Sequence, residues 1–311
     1  MKIWYAPYTL HAKAPLNAVS GNKERNGALL LVEFPEGDGV CDCHPWTEFG
    51  DEGLADQLKK LGQNKTTALT ARSLFFAQQD ARAKARNETL FKNLSIPESH
   101  YSLPDFSACH QFKVCKLKMG PSRARLDLRD LPPRMRLRLD FNASLDEKQF
   151  RNFLKDHADQ LSRIDFIEDP IPFDVKLWQQ ISREYKILLA QDRRPWHEAS
   201  SLEGLGALVI KPAISAVEHL IDDCKKMKIR LIFTSYMDHP VGQLFAAYYA
   251  ALIYGKYPEF HDCAGLLTHD LFEKNEFSDE ISTSGPYLKP SSGPGIGFAF
   301  SLSKMHWRKL C

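Results

Sequence analysis

At 311 residues the chain is long for one domain and short for two full-sized ones. Hydrophobic (43%) and charged (26%) contents are ordinary for a globular protein, and a net charge of +2 makes neither nucleic acid nor an anionic membrane an expected partner. No apolar run reaches the ~18–20 residues of a membrane span, and seven scattered cysteines, an odd number, suggest reduced thiols and a cytoplasmic protein.

The opening Met1-Lys2-Ile3-Trp4-Tyr5-Ala6-Pro7 is too short an apolar stretch for a signal peptide and reads as a first strand. Residues 28–34 form a β-prone run, reached from Arg25-Asn26-Gly27 and closed by the turn residues of 35–39. Thr66 to Asn87 has a helical pattern, with Leu69, Leu74, Phe76, Ala77 and Ala81 as its apolar positions. Strands followed by helices suggest an α+β capping domain over residues 1–104.

From about residue 105 the pattern alternates. Strands are expected at 112–118, 134–141, 163–168, 186–192, 207–211 and 229–235, with helices at 145–161, 174–184, 214–227 and 240–254. Repeated strand–helix units imply a parallel sheet. The glycine-rich phosphate turn of a dinucleotide fold is missing after the first of these strands, where Lys118-Met119-Gly120-Pro121 stands instead. The expected fold is therefore α/β, a β/α barrel over 105–265. The Ser-, Gly- and Pro-rich residues 266–311 read as a C-terminal segment returning to the cap.

Residues two apart on a strand share a face. That puts Lys116 with Lys118, Arg138 with Asp140 and Asn142, Phe166 with Glu168, Leu188 with Ala190 and Asp192, and Val209 with Lys211. Each face ends in charge at the C-terminal end, where barrel enzymes build their active sites. Three carboxylates, Asp140, Glu168 and Asp192, repel one another unless a cation sits among them, and oxygen-only donors suit a hard ion, Mg²⁺ above all, with Mn²⁺ as a substitute. Two lysines on one face depress each other's pKa, which fits one of them for taking a proton near neutral pH.

These segments, Lys116-Leu117-Lys118, Arg138-Leu139-Asp140-Phe141-Asn142, Phe166-Ile167-Glu168-Asp169-Pro170, Ala190-Gln191-Asp192 and Ile210-Lys211-Pro212, resemble the enolase superfamily in order and approximate spacing. Within it they most resemble the o-succinylbenzoate synthase family. The resemblance implies a modified barrel with an N-terminal cap, and Asp140, Glu168 and Asp192 as metal ligands. It makes Lys118 the acid/base, Lys116 its neighbour and Lys211 the charge opposite. It also implies substrate contacts at Arg138 and Asn142 and, from weaker matches, at Arg25, Thr234, Ser235, Gly265 and Leu266. The implied reaction is syn-dehydration of 2-succinyl-6-hydroxy-2,4-cyclohexadiene-1-carboxylate, a step of menaquinone biosynthesis. Arg193-Arg194 departs from the Asp-Glu that many superfamily members carry there.

Competing readings are an N-acylamino acid racemase or dipeptide epimerase of the same superfamily, and a non-catalytic binding barrel. Cys41-Asp42-Cys43-His44 lacks the second ligand pair of a zinc site. Asp238-His239 lacks a nucleophile motif and reads as core or rim packing. The Arg134, Arg136, Arg138 row lacks interleaved aromatics for nucleic acid, and an inward Arg136 would need an acidic partner.

Overall fold

The structure, a computed structural model, describes residues 2–16, 23–102, 109–119, 128–192 and 202–311. Gly120-Pro121, the 104/105 boundary and Arg193-Arg194 lie outside the described residues.

The first strands, β1 (Ile3–His11), β2 (Glu24–Phe34) and β3 (Gly37–Cys43), pair antiparallel. Gly37 and Gly39, expected in a closing turn, instead open β3, because only residues 35 and 36 are needed to reverse the chain. Helices α1 (Leu54–Gly62) and α2 (Ala68–Ala85) follow. Thr67 caps α2 reciprocally with Thr70, and Leu69, Ser73, Phe76, Ala77 and Asp80 form its buried stripe. The helix lies so close to β3 that a Cβ on Gly39 would stand 1.8 Å from the Ala77 carbonyl oxygen, so only glycine fits there.

Six parallel strands then line up in chain order: β4 (Val114–Lys118), β5 (Arg136–Asp140), β6 (Ile164–Glu168), β7 (Leu189–Asp192), β8 (Ala207–Ile210) and β9 (Arg230–Phe233). Between and after them run α3 (Glu147–Asp156), α4 (Val175–Tyr185), α5 (Ile221–Met227) and α6 (Pro240–Lys256). Two short parallel segments complete the wall. Thr234 bridges to Gly265, Ala264 to Ser99, and Tyr101 to Cys115 of β4. Phe166, Ala190, Ala207, Val209 and Ile232 pack together as an interior layer, as alternation predicts.

Two expected elements begin late. Lys186 takes a left-handed conformation that closes α4, so β7 starts only at Leu189, and Leu188 is 40% exposed. In the 214–227 segment, Ile214 and Ser215 turn back onto the Lys211 carbonyl and Val217 N–H donates to the Tyr249 hydroxyl, so α5 forms only from Ile221.

The remaining elements are a hairpin, β10 (Ser282–Ser284) with β11 (Tyr287–Lys289), a short α7 (Ala299–Ser303), and β12 (Arg308–Lys309). The last of these pairs with Trp4 and Tyr5 at the outer edge of β1. None of the seven cysteines forms a disulfide. Among the described residues, no helix is long and apolar enough to cross a membrane.

Candidate active site

Register fixes the rim. Lys118 pairs with Asp140 across β4 and β5, and Asp140 pairs with Glu168 across β5 and β6. Glu168 pairs with Ala190, two residues before Asp192, and Lys211 directly follows β8. The six ionisable residues expected at the site therefore converge at the C-terminal end of the strands.

The two lysines of β4 behave differently. Lys116 Nζ lies 2.8 and 2.7 Å from the two Glu168 carboxylate oxygens and 3.0 Å from Asp140 Oδ2. Burial alone would lower its pKa, but the Asp140 and Glu168 charges outweigh that and raise it. The expected mutual depression therefore holds for Lys118 alone, because Lys116 is neutralised by carboxylates. Burial, reinforced by the charges of Lys116 and Lys211, brings Lys118 down to about 8, against the pull of Asp140. Its Nζ donates to the Leu16 carbonyl of the cap and lies 3.9 Å from Met237 Sδ. Opposite, Lys211 donates to Thr234 Oγ1 at 2.6 Å and stands 3.2 Å from Asp192 Oδ2.

The carboxylates divide likewise. Burial and the Asp140 charge push Glu168 up to about 7. Burial would raise Asp140 too, but Lys116 and then Lys118 hold it below the usual range. Among the described residues, no three His, Cys, Asp or Glu side chains are gathered closely enough to hold a metal as they stand. Ammonium groups stand at the carboxylates instead, Lys116 at Asp140 and Glu168 and Lys211 at Asp192. The donor chemistry nonetheless fits a hard cation, since the three carboxylates end neighbouring strands and Lys116 already places a positive charge between two of them.

Two supporting residues escaped the sequence reading. Asp169, given no role there, takes a φ of 40° and accepts the Asp192 backbone N–H through Oδ2 at 3.2 Å. Its only sequence signal is an Asp-Pro step directly after a strand. Leu16 acts through its backbone carbonyl, which leaves no sequence trace.

Of the expected substrate contacts, Arg138 is misplaced. It is fully buried and bonded to Asp165 (2.8 Å), Asp262 (3.0 Å), His100 Nδ1 (3.1 Å) and the Cys263 carbonyl (2.7 Å), one layer below the rim. A guanidinium two residues before Asp140 on the same face must lie deeper in the barrel, where only buried acids can hold it. Arg230 and Arg136 share Asp165, and Arg136 is itself exposed, so it is not the inward residue that would have needed a buried partner. Arg25 is tied within the cap, bonded to Glu48 at 2.6 Å and stacked 3.6 Å over Trp46. Asn142 is exposed at the rim, its backbone N–H donating to Asp140 Oδ1. Thr234 reaches Lys211, and Ser235 bonds Thr268 at 2.6 Å. Leu266 is buried, and Gly265 leaves room for no side chain, since a Cβ there would meet His100 and Thr234 under 3.0 Å.

Residues 3–83 match the family model described as the N-terminal domain of O-succinylbenzoate synthase. A curated o-succinylbenzoate synthase from Bdellovibrio bacteriovorus is 34% identical over 327 aligned positions, covering 100% of this chain and 99% of its own. The chain belongs to the o-succinylbenzoate synthase family. It is thereby an enolase-superfamily enzyme and a carbon–oxygen lyase. Solved structures agree on the fold. The L-Ala-D/L-Glu epimerase of Bacillus subtilis superposes with a TM-score of 0.78 at 15% identity, over 96% of this chain and 98% of its own. A dipeptide epimerase from Enterococcus faecalis gives 0.76 at 16%, over 95% and 98%. The muconate lactonizing enzyme of Pseudomonas putida gives 0.72 at 17%, over 98% and 99%.

Proposed function

We propose that this enzyme carries out the syn-dehydration of 2-succinyl-6-hydroxy-2,4-cyclohexadiene-1-carboxylate to o-succinylbenzoate, in the cytoplasm and as a step of menaquinone biosynthesis. The observation that carries the reading is the contrast within β4, where Lys116 is paired with both Asp140 and Glu168 while Lys118, buried two residues on, donates to the Leu16 carbonyl and is lowered by burial to about 8. Only a neutral amine can take a proton α to a carboxylate, and only a base near working pH does so efficiently.

Asp140, Glu168 and Asp192 would hold Mg²⁺, with Mn²⁺ as a substitute. The ion would supply positive charge to the substrate carboxylate as negative charge builds on it. The protein's own groups do the rest. Lys118 takes the α-proton, and the resulting ammonium returns a proton to the departing hydroxyl on the same face, releasing water. Lys211, kept beside Thr234 and Asp192, remains protonated and faces the developing enediolate. The Leu16 carbonyl, now an acceptor for Lys118, places the cap against the base, where a cap shields the reaction from water. The organisation that goes with this reading is a cap over 1–104, a barrel over 105–265 and a returning segment over 266–311.

The test is direct turnover of the cyclohexadiene substrate, followed by the absorbance of the aromatic product. Chelation should abolish it and Mg²⁺ should restore it. Full activity in excess chelator would overturn the metal assignment, and no aromatisation with metal present would overturn the substrate. Isomerisation of an N-acylated amino acid or dipeptide is the second reading, favoured by the placement of Lys118 and Lys211 on β4 and at the end of β8, on opposite sides of the barrel mouth.

A further inference from the structure

Behind the rim, at the seam between cap and barrel, two buried carboxylates face each other. Asp42 lies on β3, and Asp238 lies between β9 and α6, 2% exposed. A methyl group placed on Gly242 of α6 would stand 2.5 Å from Asp42 Oδ2 and 2.5 Å from Asp238 Oδ2. Both oxygens crowd the same point, which leaves no room for even a methyl group there. Asp42, His44, Ser73, Asp238 and Gly242 line a cavity there of about 10 Å³, near the smallest that admits a single water.

The surroundings leave little to neutralise two negative charges. Tyr8 donates its hydroxyl to Asp42 Oδ1 at 2.6 Å, and the His239 backbone N–H donates to Asp42 Oδ2 at 3.2 Å. With its proton given to Asp42, the Tyr8 oxygen accepts from His44 Nδ1 at 2.9 Å, which makes His44 the neutral Nδ1–H tautomer. Burial, with the Arg25 charge, pushes His44 down to about 3, and burial does the same to His239, so neither supplies a cation. From α2, Ser73 turns its hydroxyl to the Asp42 carbonyl, and Cys43 is held as a thiol by burial. Lys211, beyond β8, acts on Asp238 only through its field. Among the described residues no ion pair involves either aspartate, and Asp238 Oδ1 is buried without a hydrogen-bond partner.

We propose that Asp42 and Asp238 share one proton, forming an acid-pair latch that fastens the cap sheet to the barrel. Two like charges in one buried space resist joint ionisation, and a single proton held by the pair removes the repulsion between them. Burial raises Asp42 to about 7 and, together with the Asp42 charge, raises Asp238 well above the usual carboxylate range, which agrees with this arrangement. The sign follows. The folded state holds a proton that the unfolded chain releases near pH 4, so the latch contributes most in acid and loses its effect as pH rises through neutrality.

The test compares the wild-type enzyme with Asp238→Asn, whose amide donates to Asp42 without titrating, both saturated with Mg²⁺ at fixed ionic strength. The wild-type thermal midpoint should fall as pH is raised from about 5 to about 9, and Asp238→Asn should flatten that fall. The infrared difference between the two at neutral pH should contain a protonated-carboxyl C=O band. Tyr8→Phe, which removes a donor to the Asp42 carboxylate, should move the transition to higher pH. If Asp238→Asn does not fold, Asp42→Asn gives the same two readouts. An unchanged pH slope in the amide variant, or no carboxyl band, would overturn the latch. So would stabilisation of the wild type but not the variant by Na⁺ or K⁺, which would put a cation in the space instead of a proton.

Discussion

Replacing Lys116 with methionine keeps the length of the side chain and removes the charge beside the base. Same-face neighbours on a strand are separated by ~7 Å, so at an effective dielectric of about 20 the ammonium at 116 disfavours protonation at 118 by about 2 kcal/mol, equivalent to between about one and two pH units. The change also frees Asp140 and Glu168 from Lys116, which pairs with both and lies 2.7 Å from Glu168, and their charge draws the Lys118 pKa further upward. With Lys118 at about 8, roughly one amine in ten is neutral at pH 7, and the substitution should cut that share about 10- to 50-fold. The assay is kcat/KM for aromatisation against pH at saturating Mg²⁺. The acidic limb should move to higher pH while the alkaline plateau keeps much of its height. A limb that stays in place or moves to lower pH would refute the account of how Lys118 is tuned.

Asp140→Asn should weaken Mg²⁺ affinity with the fold intact, measured by titration calorimetry and circular dichroism. Arg138→Met leaves Asp165 and Asp262 with the partly exposed Arg230 as the cation they share, and should cost about 3 kcal/mol in denaturant unfolding without altering the pH profile. In D₂O, an N-succinyl amino acid offered as either enantiomer should exchange its α-hydrogen more slowly than the cyclohexadiene aromatises. Exchange faster than dehydration, and lost in Lys211→Arg, would make isomerisation the primary activity.

The strand ends were legible because alternation is a strict rule. Once Lys116 and Lys118 share a face, Glu168, Asp192 and Lys211 must end theirs on the same side, and the parallel register brings them together. Depth was not legible. Alternation says that Arg138 points inward but not that it sits a layer beneath Asp140, and its partners Asp165 and Asp262 are far apart in sequence. Nor does spacing show which of two lysines a carboxylate will claim. Backbone acceptors such as Leu16, and short wall segments such as 99–101, carry no pattern at all: a two-residue bridge has too few side chains to alternate.

That wall has a consequence for the order in which the protein can assemble. Strands β4 to β9 lie side by side in the order in which a ribosome delivers them, so each can dock on the one before. The ring stays open until Ala264 and Gly265 arrive to meet Ser99 and Thr234, and the outer edge of β1 waits for Arg308 and Lys309. A nascent chain therefore spends most of its synthesis with two bare sheet edges, which invite pairing with other chains. Closure joins segments well over a hundred residues apart, and such long-range pairing is slow. Yield during expression should depend more on chaperone supply and temperature than on the stability of the finished barrel.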